Sequence, residues 1–288
     1  ELEMLDLASL ASVADLAGRL PGRLEGTGLD VLSVDYRLAP DAPFPAAVED
    51  AVAAWRFAVE VAPRWGLDPA RIVVAGDSAG GNLATVVARE VRGEAVTPAF
   101  QLLIYPVTDQ AADTPSRREF ASGYFLTADG IDWFTDRYLP DAAQRSDPRC
   151  SPLLADDLSG LPPAHVMVAG FDPLRDEGIA YARMLERAGV ATTLRVHTDA
   201  VHPFINILAT DLGRRCMAEA VGAMRTALGV DQRTPPHAAP HQPAPQHRHA
   251  MRRGDEADLV AVGVDVGVGA QEALAQRAGE AAHRAGGE

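Results

Sequence analysis

The sequence predicts an α/β protein with a mostly parallel sheet covered by helices, and three observations carry that expectation. Short β-branched runs alternate with longer amphipathic ones from residue 29 to about residue 230, the rhythm of strands joined by crossover helices. Apolar residues between the runs recur at helical spacing. A chain of 288 residues with 47% hydrophobic content can bury a sizeable core.

The elements follow in order. A strand is expected over residues 31–34, then a helix carrying Val48, Val52, Trp55 and Val59 on one face. A second strand over 72–75 leads through a glycine-rich turn into "NLATVVAREV", which reads as the next helix, and a third strand spans 100–105. Residues 111–163 then interrupt the rhythm with Phe120, Tyr124, Phe125, Trp133, Phe134 and Tyr138 among polar and proline-containing pieces. So long an excursion between strands is either a binding loop or lid, or a satellite core without ligand contact, and both readings stay open. A strand over 165–169, a helix carrying Ile179, Ala182, Leu185 and Ala188, a strand over 193–196 and an apolar helix from near Phe204 complete the domain, residues 1–230.

Beyond residue 231 the texture changes. "RTPPHAAPHQPAPQHRHAMRRGDEA" alternates Pro and His with small residues, so residues 231–288 are expected to be a low-complexity, disordered tail. Its histidines lack spaced acidic or Cys ligands and read as solvated, not metal-binding. The closing "LVAVGVDVGVGAQEALAQRAGE" alternates Val with small residues and then turns helical, with no role assigned.

Composition excludes several functions. A formal charge of -14 argues against nucleic acid as a partner. No apolar run approaches a membrane span and no leader pattern opens the chain, so the expectation is a cytoplasmic protein without a membrane partner. Cys150 and Cys216 have no CxxC or Cys-His spacing and are expected as two buried thiols. All basic residues are Arg, which reads as codon bias.

The chemistry-bearing stretch is "RIVVAGDSAGGNLATVV". A hydroxyl that attacks a carbonyl must be exposed, deprotonated and faced by donors for the resulting oxyanion. Gly76-Asp77-Ser78-Ala79-Gly80 fits a sharp strand-to-helix turn, whose neighbours two positions from the serine must be small. The stretch resembles the G-x-S-x-G nucleophile elbow of α/β-hydrolases. A phosphate loop is excluded, because no G-K-S/T follows. The Ala79 N–H, at the positive end of the following helix, is the natural first oxyanion donor.

An acid and then a histidine should follow at the ends of later strands. Asp172 lies just past the 165–169 strand and is preferred over Asp176 and Glu177, which open a helix and complement its dipole. His202, in a loop before the last helix, is preferred over His197 at a strand end, and His165 opens its strand at the wrong end of the sheet. The expected catalytic set is Ser78, Asp172 and His202.

"SVDYRLAPDAPFPAAVEDA", "GDSAGGN", "SPLLADDLSGLPPAHVMVAGFDPLRDEG" and "VHPFIN", in that order, resemble the bacterial hormone-sensitive lipase-like carboxylesterases of the α/β-hydrolase fold over residues 29–228. The resemblance implies Ser78 as nucleophile, Asp172 as acid and His202 as base. It further implies hydrolysis of small carboxylic esters with short to medium acyl chains, without metal or organic cofactor. It places a helical cap over the site, formed in part by residues 111–163, with Trp133, Phe134 and Tyr138 as candidates to line the substrate pocket. A homodimer is left open.

One departure bears on the fold. The family carries an H-G-G-G oxyanion motif upstream of the Y-R-L-A-P segment, and this sequence has none. Residues 1–28 resemble the helix that follows that motif, so an N-terminally incomplete hydrolase fold is expected. The strand ending at H-G-G-G lies, in the family, between those matching 31–34 and 72–75. Without it these strands are expected to lose their neighbour or pair with each other, and the chain to be less stable than a full-length relative. The rival reading is a catalytically impaired or non-catalytic protein that binds small molecules on the same fold.

Overall fold

The computed structural model describes residues 5–6, 22–24, 29–230 and 260–264. Their eight strands form one sheet, ordered β1-β3-β8-β4-β5-β6-β7, with β2 also pairing with β3. The strands are β1 Leu5–Asp6, β2 Gly22–Leu24, β3 Leu29–Asp35, β4 Val73–Asp77, β5 Phe100–Ile104, β6 Ala164–Phe171, β7 Thr192–Val201 and β8 Val260–Val264. Every pairing is parallel except β2 with β3. The helices are α1 Ala46–Val61, α2 Ala79–Glu90, α3 Pro115–Glu119, α4 Ala128–Tyr138, α5 Arg175–Arg187 and α6 Asp211–Ala227.

Helices cover both faces. On one, Trp55 of α1, Val86 of α2 and Leu185 of α5 pack against Leu32, Val74 and Val166 of the sheet. On the other, Cys216, Ala220 and Met224 of α6 pack against Val73, Leu102 and Met167. All five residues of β5 are buried, because a parallel strand with helices on both sides has no solvent face. Edge strand β7 exposes four of its first seven residues.

Two boundaries differ from expectation. The last helix begins at Asp211, after a short 3-10 turn Phe204–Asn206. The reason is its cap: the Thr210 hydroxyl accepts from the Gly213 N–H, terminating the helix where a local acceptor exists. Strand β7 runs on to Val201, which places His197 inside the strand and not at its end. The helix expected over residues 1–28 lies outside the described residues, except that Leu5–Asp6 and Gly22–Leu24 are strands along β3.

The gap between β3 and β4 is filled, so neither expectation for these strands holds. β8 lies between them, with Val34 and Gly76 both opposite Val264. A disordered tail is therefore corrected at Val260–Val264; the rest of 231–288 lies outside the described residues. The valines of this stretch suit a strand, since β-branched residues favour the pleated conformation.

Candidate active site

β4 ends at Asp77, and Ser78 turns the chain directly into α2 with φ 53° and ψ -116°. So unfavourable a conformation for a residue with a side chain persists only where the surroundings fix it. Here the Ser78 N–H donates to the Ile104 carbonyl at 2.9 Å, and the Ser78 carbonyl accepts from the Asn82 N–H at 3.0 Å. The glycine requirement read from the motif is steric: a Cβ on Gly76 would lie 2.3 Å from the backbone of Gly80.

Asp172 follows the last residue of β6 and is fully buried; its Oδ1 accepts from the Leu174 N–H at 2.9 Å. Its Oδ2 lies 2.8 Å from His202 Nδ1, and His202 Nε2 lies 3.0 Å from Ser78 Oγ. A carboxylate only accepts, so Nδ1 carries the proton and Nε2 is left to accept from the serine hydroxyl. His202 is 5% exposed, and the hydrogen-bonded chain closes among residues from three strand ends.

The rivals sit elsewhere. Asp176 accepts from the Ser116 N–H at 2.8 Å and Arg175 Nε at 2.9 Å. His197 contacts Cys216 at 3.5 Å and Glu219 at 3.7 Å, and His165 lies 3.4 Å from Glu219. Both cysteines are buried free thiols, with burial pushing Cys150 up to about 11.

Three polar or aromatic neighbours, Asp77, Tyr105 and Asn206, carry no role in the sequence reading, and Glu177 carries only that of a rival acid. Asp77 is buried and accepts at Oδ2 from Tyr105 Oη and Asn206 Nδ2, each at 3.0 Å. Burial raises its carboxyl above the ordinary range, opposed by those donors and by nearby His202. Glu177 did more than complement a helix dipole. It is fully buried, meets Arg117 Nη2 of α3 at 2.7 Å, and accepts from the Thr108 and Asp109 N–H groups at 2.8 and 3.2 Å. Burial lifts it to about 7, with Arg117 opposing. The sequence signals were weak: a Tyr before Pro, an Asn after the histidine, and acids inside ordinary motifs.

Ser78, Ala79 and His202 open onto a cavity of about 640 Å³, into which Trp133, Phe134 and Tyr138 also face. The Ala79 N–H, first in α2, has no intrahelical acceptor. The two readings of the 111–163 excursion divide between its aromatics. Phe125, Trp133, Phe134 and Tyr138 line the cavity, whereas Phe120 and Tyr124 pack with Phe171 into a separate cluster, Tyr124 stacked on Phe171 at 5.4 Å. Among the described residues, no helix is long and apolar enough to cross a membrane.

Comparison with known proteins places the fold. A family model for the alpha/beta hydrolase fold matches residues 15–206. The carboxylic ester hydrolase LipN of Mycobacterium tuberculosis is 49% identical over 208 residues, covering 69% of this chain and 55% of that protein. The ethyl acetate hydrolase of Pseudomonas putida is 45% identical over 185 residues, covering 64% and 58%. The chain thus spans little more than half the length of these relatives. Among solved structures, the thermophilic carboxylesterase EstE1 from a metagenomic library superimposes with a TM-score of 0.65 at 43% identity, covering 68% of this chain and 69% of that one. The hyperthermophilic esterase of Pyrobaculum calidifontis gives 0.65 at 39% identity, covering 67% and 64%. With the matched model spanning well over half its length, the chain belongs to the alpha/beta hydrolase fold family.

Proposed function

We propose that the protein is a serine carboxylesterase that cleaves small carboxylic esters through an acyl-enzyme. The observation that carries this reading is the continuous hydrogen-bonded chain from Asp172 through His202 to Ser78, which ends in a cavity. Ser78 Oγ attacks the ester carbonyl while His202 Nε2 takes its proton. Asp172 holds the imidazole in the required tautomer and stabilises its charged form. The Ala79 N–H, reinforced by the positive end of α2, faces the developing oxyanion. His202 then protonates the leaving alcohol and, in the second half, activates the water that releases the acid. The chemistry balances without metal or organic cofactor.

The cavity supports a substrate class. A volume of about 640 Å³ is in the range of small-molecule pockets, which favours short to medium acyl chains packed against Trp133, Phe134 and Tyr138. Named relatives that hydrolyse carboxylic esters and ethyl acetate support the same class.

The test is the initial rate of p-nitrophenyl butyrate hydrolysis beside Ser78→Ala, together with labelling by a fluorophosphonate probe. A Ser78-dependent rate and Ser78-dependent labelling are expected. Equal rates and no labelling would leave a protein that binds small molecules without transforming them. A series of acyl lengths from acetate to decanoate, expected to peak at or below the middle, checks the pocket argument.

A further inference from the structure

Three chain segments meet on one carboxylate oxygen beside the triad. Asp77 is the last residue of β4 and immediately precedes Ser78. Tyr105 follows the last residue of β5, and Asn206 closes the turn Phe204–Asn206, which begins two residues after His202. Tyr105 Oη and Asn206 Nδ2 both donate to Asp77 Oδ2, each at 3.0 Å. Tyr105 also packs against His202 itself: its ring centroid lies 4.4 Å from that of the imidazole, and Phe204 meets the Tyr105 ring edge-on at 5.1 Å. Tyr105 is fully buried and held at φ 35°, a cost that a tyrosine bears only where its surroundings over-determine it.

We propose that Asp77 is a positioning residue, a clamp that fixes the His202 loop at the correct distance from Ser78. This inference rests on the esterase reading for its kinetic consequence. The physical case is one of connectivity. Asp172 holds His202 from the β6 side, but a single hydrogen bond at Nδ1 leaves the ring free to swing about it. Asn206, on the same loop, ties that loop to the residue before Ser78, and Tyr105 packs its ring against the imidazole. A buried carboxylate is costly to desolvate, so an ordinary core position would favour an apolar residue. Here its two donors arrive from separate segments, one of them the segment that carries the base. A misplacement of about 1 Å in such a site costs on the order of 10²-fold in rate.

The decisive experiment exchanges the polarity of the clamp. Asn206→Asp sets two carboxylates against each other and should lower kcat about 100-fold with KM within about twofold, because positioning of the base fails while substrate binding does not. Adding Asp77→Asn should recover most of that loss, since the new amide NH2 can donate to the residue 206 carboxylate and to the Tyr105 hydroxyl. Tyr105→Phe, nearly isosteric, should fall about tenfold, which keeps the test intact if Asn206→Asp folds poorly. A wild-type rate for both Asn206→Asp and Tyr105→Phe, or a double variant as slow as Asn206→Asp, overturns the clamp. A second readout is independent of turnover: the low-field proton NMR signal of the His202 Nδ1–H should be displaced in Asn206→Asp and return in the double variant. If the wild type neither hydrolyses esters nor labels while that signal behaves as expected, the esterase reading falls and the clamp stands.

Discussion

Strands β4 to β7 meet in chain order, each parallel to the next, and Ser78, Asp172 and His202 follow the ends of β4, β6 and β7. Strand β3 meets its inner neighbour from the far end of the chain, because β8 at Val260–Val264 separates it from β4. The first half of the sheet is assembled from crossovers between strands consecutive in the chain, the longest being the excursion between β5 and β6. The second depends on a contact between segments separated by most of the sequence, the kind whose loop-closure entropy is paid before any pairing rewards it. Proposed chemistry and architecture are thereby divided: one half holds the groups proposed to react, the other completes the sheet beside them.

The largest expected effect tests the reacting half alone. Ser78→Ala should lower kcat by about 10⁶ and Asp172→Asn by about 10⁴, the losses typical of a nucleophile and of the acid that sets the tautomer. Neither change opens a cavity, so thermal midpoints should stay within a few degrees of the wild type. Steady-state kinetics beside calorimetry checks both; a fall in midpoint that accompanies the loss of rate would blur the division.

Removing residues 231–288 tests the other half. It deletes β8 and leaves facing edges of β3 and β4 unpaired over the registers from Asp30 to Val34 and Val73 to Gly76. At about 1 kcal/mol net per ladder hydrogen bond the loss is on the order of 5 kcal/mol or more, comparable with the whole stability of a domain. The cooperative transition should be lost or strongly lowered. Val262→Pro, which deletes one ladder donor in the middle of β8, should act in the same direction with a smaller shift. If urea unfolding is unchanged by both, the two halves do not depend on each other as the sheet order implies.

Gly76 lies where the halves join, opposite Val264 in one register and two residues before Ser78 in sequence. Gly76→Ala should therefore lower stability and rate together. Its Cβ, 2.3 Å from the Gly80 carbonyl, meets backbone that cannot yield without moving the turn, at a cost of about 3 kcal/mol or more. Denaturant unfolding and kcat measured on the same preparation should both shift; a change in only one would place the strain on one side.

How much of this was legible in the sequence follows the same line. The elbow, Asp172 and His202 sit in short local patterns, strand then turn then helix, whose spacing alone fixes their place. β8 was hidden because "LVAVGV" reads equally as a strand or as low-complexity tail, and nothing local states which strands it separates. The start of α6 was misplaced because the apolar run "FINI" looks helical, whereas the Thr210 cap that sets the start depends on one hydroxyl. The roles of Tyr105 and Glu177, the latter legible only as a rival acid, are three-dimensional: one ring lies against His202, and one carboxylate receives a guanidinium and two loop amides from distant segments.

The smallest expected effect concerns Glu177, which ties the excursion to the reacting half through Arg117 of α3. Burial raises this carboxyl from 4.5 to about 7, so as pH climbs the unfolded chain releases the proton first. The unfolded state then binds fewer protons than the folded one, and stability from this group falls between about pH 4.5 and 7 and is flat above. The two histidines on β6 and β7 act oppositely. Burial lowers both His165 and His197 below 6.5, so their contribution rises with pH up to about that value. The net profile of the wild type therefore mixes signs, and the informative quantity is its difference from Glu177→Gln. That difference should change by at most roughly 3 kcal/mol across the window, on top of a pH-independent offset from the lost ion pair. Thermal midpoints at pH 5 and pH 7.5 measure it. Parallel profiles for the two proteins would mean that Glu177 is ionised throughout, with Arg117 and the loop amides outweighing burial.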